Sequence, residues 1–192
     1  MENVRKIILA SQSPRRRELL QLLGIPFEIV VSTEEEIITS TNPAEVTEEL
    51  SLQKAAAVAR KIEEGIVIGA DTVVSVDEKI LGKPKDKEDA RAMIRLLQGR
   101  SHMVYTGVSL VDAIGVQETV RFHVGTKVRV ANMTDAEIEE YICSQEPYDK
   151  AGSYGIQGMF SKFIEGIEGD YFNVVGLPIH ALYQAVKHMI TK

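Results

Sequence analysis

A chain of 192 residues, 44% of them hydrophobic, is long enough to bury a full core, which excludes a dominantly disordered protein and fits one domain over 1–192. The formal net charge of −6 argues against bulk binding to nucleic acid or to an acidic membrane surface, so any affinity for phosphate has to be local. The lack of any apolar run of about 18 residues, and of a signal-peptide core behind the charged N-terminus, predicts a cytoplasmic protein with neither membrane nor nucleic-acid partner.

The single cysteine, Cys143, excludes an internal disulfide and reads as a small helix residue. His102, His123, His180 and His188 lack the close spacings of a zinc site and read as structural or solvated.

In chain order, Lys6-Ile7-Ile8-Leu9-Ala10 suits a buried strand and is too short for a helix. Ser11-Gln12-Ser13-Pro14-Arg15-Arg16-Arg17 follows. Ser13 is placed as an N-cap, Pro14 as the first helical residue, and Gly24 with Pro26 as the stop of a helix carrying Leu19, Leu20, Leu22 and Leu23. Cations at a helix N-terminus oppose its dipole, at a few tenths of a kcal/mol each, unless an anion binds there. Ser11, Ser13, the loop amides and the arginines are therefore expected to converge on phosphate oxygens.

Residues Phe27 to Val31 predict a second strand, and Thr33-Glu34-Glu35-Glu36 puts three carboxylates in the loop after it. Such a run is usually a solvated turn; alternatively one of them, Glu34 first, faces the arginine loop or a Mg²⁺ ion. Asn42, Pro43 and Glu45 open a helix through Val46, Leu50, Ala57, Val58 and Ile62 to Gly65. Lys54 lies within it, and helical pattern alone makes it a solvated lysine.

The most apolar stretch, Ile66 to Val76, holds one carboxylate, Asp71. Burying it ionised and unpaired costs several kcal/mol, so Asp71 is paired, metal-bound or protonated, or its strand borders a cleft there; capping a turn is the structural alternative. Gly69 and Ala70 leave room for a kink or a ligand. Asp77 to Lys79 predicts a turn, and Gly82-Lys83-Pro84 a bend projecting Lys83; without a Gly-x-x-x-x-Gly-Lys-Ser/Thr run, this is no P-loop. A helix from Asp86 to Gly99, an antiparallel pair over Met103–Val111 and Val116–Val130 around Ile114-Gly115, and a capping-box helix from Thr134 come next.

In Glu146 to Gly158, three glycines alternate with Ser153, Tyr154 and Gln157. This pattern suits a nucleotide pocket with a stacking ring and a base-pairing amide, and equally a surface loop whose Tyr caps a hydrophobic patch. A hairpin over Phe160–Ile164 and Tyr171–Val175, then a helix opened by Pro178, complete the chain. Together these elements predict an α/β fold: an elongated mixed sheet flanked by helices, in two lobes with a central cleft where Asp71 faces the arginine loop.

Four motifs in this order and spacing resemble those of the Maf family of nucleoside triphosphate pyrophosphatases, relatives in fold of the inosine triphosphatases. They are Leu9-Ala10-Ser11-Gln12-Ser13-Pro14-Arg15-Arg16, Gly69-Ala70-Asp71-Thr72, Gly82-Lys83-Pro84 and Asp149 to Gly158. The resemblance implies a hydrolase that splits a nucleoside triphosphate into monophosphate and pyrophosphate with a divalent metal, Mg²⁺ or Mn²⁺. It implies Asp71 as proton acceptor, Arg15, Thr72 and Gln157 as positions that set substrate choice, and Glu34, Lys54 and Lys83 as further pocket residues. Phosphate would fall to Ser11, Ser13, Arg15, Arg16, Lys54 and Lys83, and the metal to Glu34 and Asp71. The Arg15, Thr72 and Gln157 combination is similar to the branch acting on dTTP and UTP; a sister branch prefers methylated guanosine triphosphate. The family is also linked to inhibition of septum formation, which makes a regulatory protein the competing expectation, and a homodimer is possible. Ser153 stands where the family commonly has alanine.

Overall fold

The structure, a computed structural model, describes residues 5–114 and 119–190; Gly115 and Val116, at the predicted strand connection, lie outside these. Its centre is a seven-stranded mixed sheet. The strands are Ile7–Leu9 (β1), Phe27–Ile29 (β2), Ile66–Val76 (β3), Lys79–Leu81 (β4), Ser101–Asp112 (β5), Thr119–Val130 (β6) and Ile164–Glu168 (β7), in the order β2-β1-β3-β5-β6-β7 with β4 on β3. β2, β1 and the start of β3 run parallel, and every other pairing is antiparallel.

Among the described residues six helices cover the sheet: Pro14–Gln21 (α1), Pro43–Ala59 (α2), Lys87–Leu97 (α3), Asp135–Cys143 (α4), Tyr171–Val175 (α5) and Ile179–Ile190 (α6). Their starts follow the capping signals. Ser13 accepts from the Arg16 amide at 3.4 Å, Asn42 from the Ala44 amide at 2.9 Å, Asp86 from the Asp89 amide at 2.8 Å, and Thr134 forms a full capping box with Glu137. Among the described residues no helix is long and apolar enough to cross a membrane.

Alternation along the strands sorts the core into faces. Val67 and Val73 of β3 point to the side covered by α2. On the opposite side Ile66, Ile68 and Ala70 pack with α1 and α6, while Val74 and Val76 pack with α3, α4 and Phe160. Two apolar lobes thus share one face of the sheet. They are separated where the polar pair Thr72 and Thr106 sits side by side, Oγ1 to Oγ1 at 2.9 Å.

Two expectations are corrected. β2 ends at Ile29, short of Val31. Tyr171–Val175 is a helix and not the second arm of a hairpin, and Met159–Phe163 is a 3-10 turn leading into β7. The β-branched pattern there is overridden by caps and by one buried amide. Asp170 accepts from the Phe172 amide at 2.8 Å, and Gly176, at φ 128°, ends the helix. Asn173, fully buried, donates to the Val104 carbonyl at 3.0 Å and to Thr126 Oγ1 at 2.9 Å, bonds that hold α5 against β5 and β6.

Of the two readings open for His102, structural or solvated, the structure shows the first: it is buried in the core. Its Nε2 lies 2.7 Å from Tyr154 Oη, and Nδ1 has no hydrogen-bond partner among the described residues. Burial, with Arg100 adding a smaller repulsion, pushes its pKa down to about 4 from 6.5. Below pH 6.5 the unfolded chain therefore gains a proton that the native protein refuses. The stability involved is intact above that pH and is lost progressively towards pH 4, by up to about 3 kcal/mol. Urea unfolding at pH 7, 5 and 4 should show a shallower loss for His102→Gln than for the native protein; parallel losses would assign the acid sensitivity elsewhere.

Candidate active site

The site is set by how β3 is paired. One edge of β3 is taken by β5 along nearly its whole length. On the other edge β1 pairs with Ile66–Ile68 and β4 with Val74–Val76, so residues 69–73 in between have no strand partner on that side among the described residues. Asp71 and Thr72 lie at this open edge, directly beyond the carboxyl end of β1, where ligands enter open α/β sheets. The polypeptide leaving β1 becomes the Ser11–Arg16 loop.

Asp71 and Thr72 point to opposite faces and gather different partners. On the α1 side, the Arg16 guanidinium donates from Nε to the Gly176 carbonyl at 2.9 Å, from Nη2 to Thr72 Oγ1 at 3.0 Å and from Nη1 to Ser11 Oγ at 3.4 Å. Thr106 donates to the Asn173 carbonyl at 2.9 Å, extending the network into α5. Burial lowers the Arg16 pKa while the nearby Asp71 carboxylate opposes the shift. Of its five N–H donors, two have no partner among the described residues and remain for a ligand. Arg16 is therefore both a strut across the cleft and a fixed positive charge within it. Ser11 is buried, and its Oγ also accepts from the Ser13 amide at 3.2 Å; Ser13 is the helix cap, and Arg17 is exposed.

On the α2 side, the Lys54 ammonium donates to Asp71 and lies 3.2 Å from Glu36. Both Lys54 and Asp71 are mostly buried, with side chains 19% and 16% exposed. The paired state allowed for Asp71 is thus the one found, and Lys54 is not the solvated lysine that helical pattern suggests. Glu34 is placed elsewhere: its carboxylate pairs with Arg60 at 2.6 Å and Lys61 at 3.5 Å. The carboxylate of this loop that approaches Asp71 is Glu36, because Gln53 grips the Ile37 backbone from both sides, N–H at 2.8 Å and carbonyl at 2.6 Å, and draws the loop onto α2. A groove of about 560 Å³, lined by Glu34, Glu36, Gln53, Lys54 and Arg60 among others, runs alongside.

Among the described residues no three His, Cys, Asp or Glu side chains form a preassembled metal centre. Mg²⁺ often uses only one or two carboxylates and completes its shell with water and phosphate oxygens. Asp71 and Glu36, which share Lys54, are the two carboxylates that could supply such a pair, while Glu34 is directed to Arg60 and Lys61.

The segment after α4 closes the cleft. Tyr154 belongs to the core of the α3/α4 lobe, with Phe160 4.8 Å away between ring centroids, and Ile156 packs into the α1/α6 lobe, so residues 154–156 bridge the two. Tyr154 is thus the ring that fills a hydrophobic patch and is not available to stack on a base. Ser153 is buried at φ 62° with its Oγ 3.1 Å from Met93 Sδ. Gln157 is exposed beyond the bridge. Arg15 donates to Asp149 at 3.1 Å, tying α1 to this segment. Burial pushes the Asp149 pKa up, but hydrogen bonds from Lys150 and Arg15 outweigh it and hold the carboxyl below its usual range. Lys83 is exposed, on a loop tied to the same segment by a 3.0 Å bond from the Gly152 amide to the Gly82 carbonyl.

The sequence points to Glu34 in this loop, whereas Glu36 is the carboxylate beside Lys54, and nothing in it singles out Thr106, Asn173 or Gly176. Register gives Thr106 away only once β3 and β5 are aligned, since it stands opposite Thr72.

Comparison with known proteins agrees with this picture. The sequence model of one family, described as Maf-like protein, matches residues 6–189. A dTTP/UTP pyrophosphatase of Bacillus cereus (strain ATCC 10987) is 52% identical over 187 residues, 97% of this chain and 91% of that protein. One of Bacillus cytotoxicus is 52% identical over 185 residues, 96% of this chain and 95% of that protein. Among solved structures, a HAM1 protein from Coxiella burnetii aligns over 98% of this chain and all of its own, with a TM-score of 0.57 at 15% identity. The Staphylococcus aureus Ham1 protein aligns over 96% of this chain and all of its own, with a TM-score of 0.56 at 14% identity. At such identities these structures show the fold alone, and it is the predicted mixed sheet flanked by helices.

Proposed function

This chain belongs to the Maf family, and from that premise we propose that it is a nucleoside triphosphate pyrophosphatase that converts dTTP and UTP to the monophosphate and pyrophosphate. The observation that carries the reading is the Lys54–Asp71 pair at the open edge of β3, across from the Arg16 guanidinium. The names of the Bacillus relatives support the substrate class.

Asp71 takes the proton of a water that attacks phosphorus, and the bond between the α and β phosphates breaks. Lys54 fits both states of the cleft: it neutralises Asp71 without ligand and turns to the phosphates when they arrive. Arg16, Lys54, Arg15 and Lys83 offset the charge that gathers on the departing pyrophosphate, while Ser11 and the loop amides orient its oxygens. Asp71 and Glu36 would hold Mg²⁺ or Mn²⁺, which when bound supplies Lewis-acid polarisation of a phosphoryl oxygen.

Gln157 offers one acceptor and two donors, complementary to the carbonyl and N–H edge of thymine or uracil. Once a bound base covers this exposed amide, leaving it unpaired costs about 1 to 3 kcal/mol, which is about tenfold to a hundredfold in discrimination. The amide can rotate to suit cytosine, so CTP is expected to be a poorer substrate and not an excluded one. The test is kcat/KM for dTTP, UTP, CTP, ATP and GTP by pyrophosphate release, with native protein and Gln157→Ala. We expect dTTP and UTP to lead in the native protein and the ranking to flatten in the variant. A lead for ATP or GTP, or an unmoved ranking in Gln157→Ala, would overturn this account of specificity.

A further inference from the structure

We propose that Glu146 is a positioning residue for substrate selection, holding from beneath the turn that presents Gln157. The proposal rests on the pyrophosphatase reading and deepens it. Gln157 is exposed and has no hydrogen-bond partner of its own among the described residues. Its amide is therefore placed only by the backbone on either side. On the N-terminal side the anchor is apolar, Tyr154 and Ile156 in their two lobes. On the C-terminal side it is one carboxylate. Glu146 accepts from the Met159 amide at 2.7 Å and the Phe160 amide at 3.4 Å, and from Tyr141 Oη at 3.0 Å.

Gly158 shows how closely the turn is drawn onto that carboxylate. A Cβ there would stand 2.1 Å from Glu146 Oε2, so any side chain at 158 would have to push the carboxylate out of this position. The main chain of Glu146 is used as well. Its carbonyl accepts from Lys150 Nζ at 2.7 Å, the same ammonium lies 2.5 Å from Asp149, and Asp149 receives Arg15 at 3.1 Å. Glu146 thus stands at one end of a chain of contacts that reaches both Gln157 and Arg15. The Met159 bond, at 2.7 Å, is the short one, and a carboxylate with two acceptor oxygens suits a group whose task is to fix a loop.

The conservative test is Glu146→Gln, which keeps the size but has one acceptor oxygen where the carboxylate has two, so it cannot serve the Met159 amide at one oxygen and the Phe160 amide with Tyr141 at the other. We expect kcat/KM for dTTP to fall about tenfold, mainly through KM, and the pyrimidine-over-purine ratio to narrow as it does in Gln157→Ala. Because both changes act on one contact, the double variant should be no worse than Gln157→Ala alone. Hydrogen exchange of the Met159 and Phe160 amides should accelerate at least about tenfold in Glu146→Gln. If that variant does not fold, Tyr141→Phe removes one of the three donors and should shift the same ratio by a smaller factor.

Unchanged amide protection, an unmoved base ranking, an equal loss of kcat for every nucleotide, or multiplicative effects in the double variant would each overturn the proposal. Failure of the native protein to release pyrophosphate from any nucleotide would count against the pyrophosphatase reading and take this proposal with it. Native turnover with an unmoved Glu146→Gln counts against this proposal alone.

Discussion

Replacing Asp71 with asparagine is expected to lower turnover by about 10² to 10⁴ while nucleotide binding stays within a few-fold of native. The substitution keeps the shape and removes the basic oxygen that takes the proton from water, together with one of the two negative charges that would hold the metal. Folding should survive it. Lys54 retains Glu36 at 3.2 Å, and the asparagine carbonyl oxygen can still accept from the ammonium. Binding should survive because the Arg16 network, with Thr72, Ser11 and Gly176, lies on the other face of β3 and does not pass through Asp71. The measurement is single-turnover pyrophosphate release beside a direct binding titration of dTTP. Near-native turnover would remove Asp71 from the chemistry. The competing class, a regulator for which the cleft is incidental, is tested separately: its regulatory effect would survive loss of this carboxylate.

What the sequence made legible was local or followed from a cost. Helix starts were readable because Ser13, Asn42, Asp86 and Thr134 are short polar side chains able to satisfy amides that a helix leaves bare. Asp71 was readable because an ionised carboxylate inside an apolar run needs an explanation, and the open edge of β3 with Lys54 supplies it. The partners were not readable, since they depend on which elements lie side by side. Periodicity along α2 puts Lys54 on a polar face, and only the packing of α2 over β3 turns that face into the cleft. The choice between Glu34 and Glu36 hung on Gln53 pulling Ile37 inward, a contact between loop and helix that no local pattern encodes. Likewise the pattern of Tyr171–Val175 read as strand because the deciding bonds, from Asn173 to Val104 and Thr126, come from distant strands.

Gly69, two residues before Asp71, suggests in the sequence room for a kink or a ligand, and in the structure that space is filled by a helix. β3 runs unbroken through Gly69, and a Cβ there would stand 2.1 Å from the Ser51 carbonyl oxygen and 2.8 Å from the Ala55 amide nitrogen, both backbone atoms of α2. Gly107, the residue of β5 opposite Asp71, does the same for the next turn, at 2.3 Å from the Thr47 carbonyl. The helix is thus seated on two adjacent strands through paired glycines, and the buried Ser51–Ser109 hydroxyl contact at 2.8 Å locks its position.

Gly69→Ala should therefore destabilise the protein by about 3 kcal/mol or more, because backbone and not a flexible side-chain end has to move. At this chain length that lowers Tm by roughly 6–12 °C. Lys54 follows Ser51 by one turn of the same helix, so lifting α2 withdraws the ammonium from Asp71, and Gln53 carries the Glu36 loop away with it. Activity at a temperature where the variant remains folded should consequently fall further than stability alone accounts for. Gly82→Ala is the control, since a Cβ at Gly82 meets nothing within 4 Å, and it should stay within about 0.5 kcal/mol of native. Thermal unfolding of both variants, with turnover measured well below their midpoints, decides the matter. A Gly69→Ala protein as stable and active as Gly82→Ala would mean that α2 is not seated against β3 in this way, and that Lys54 reaches Asp71 by some other support.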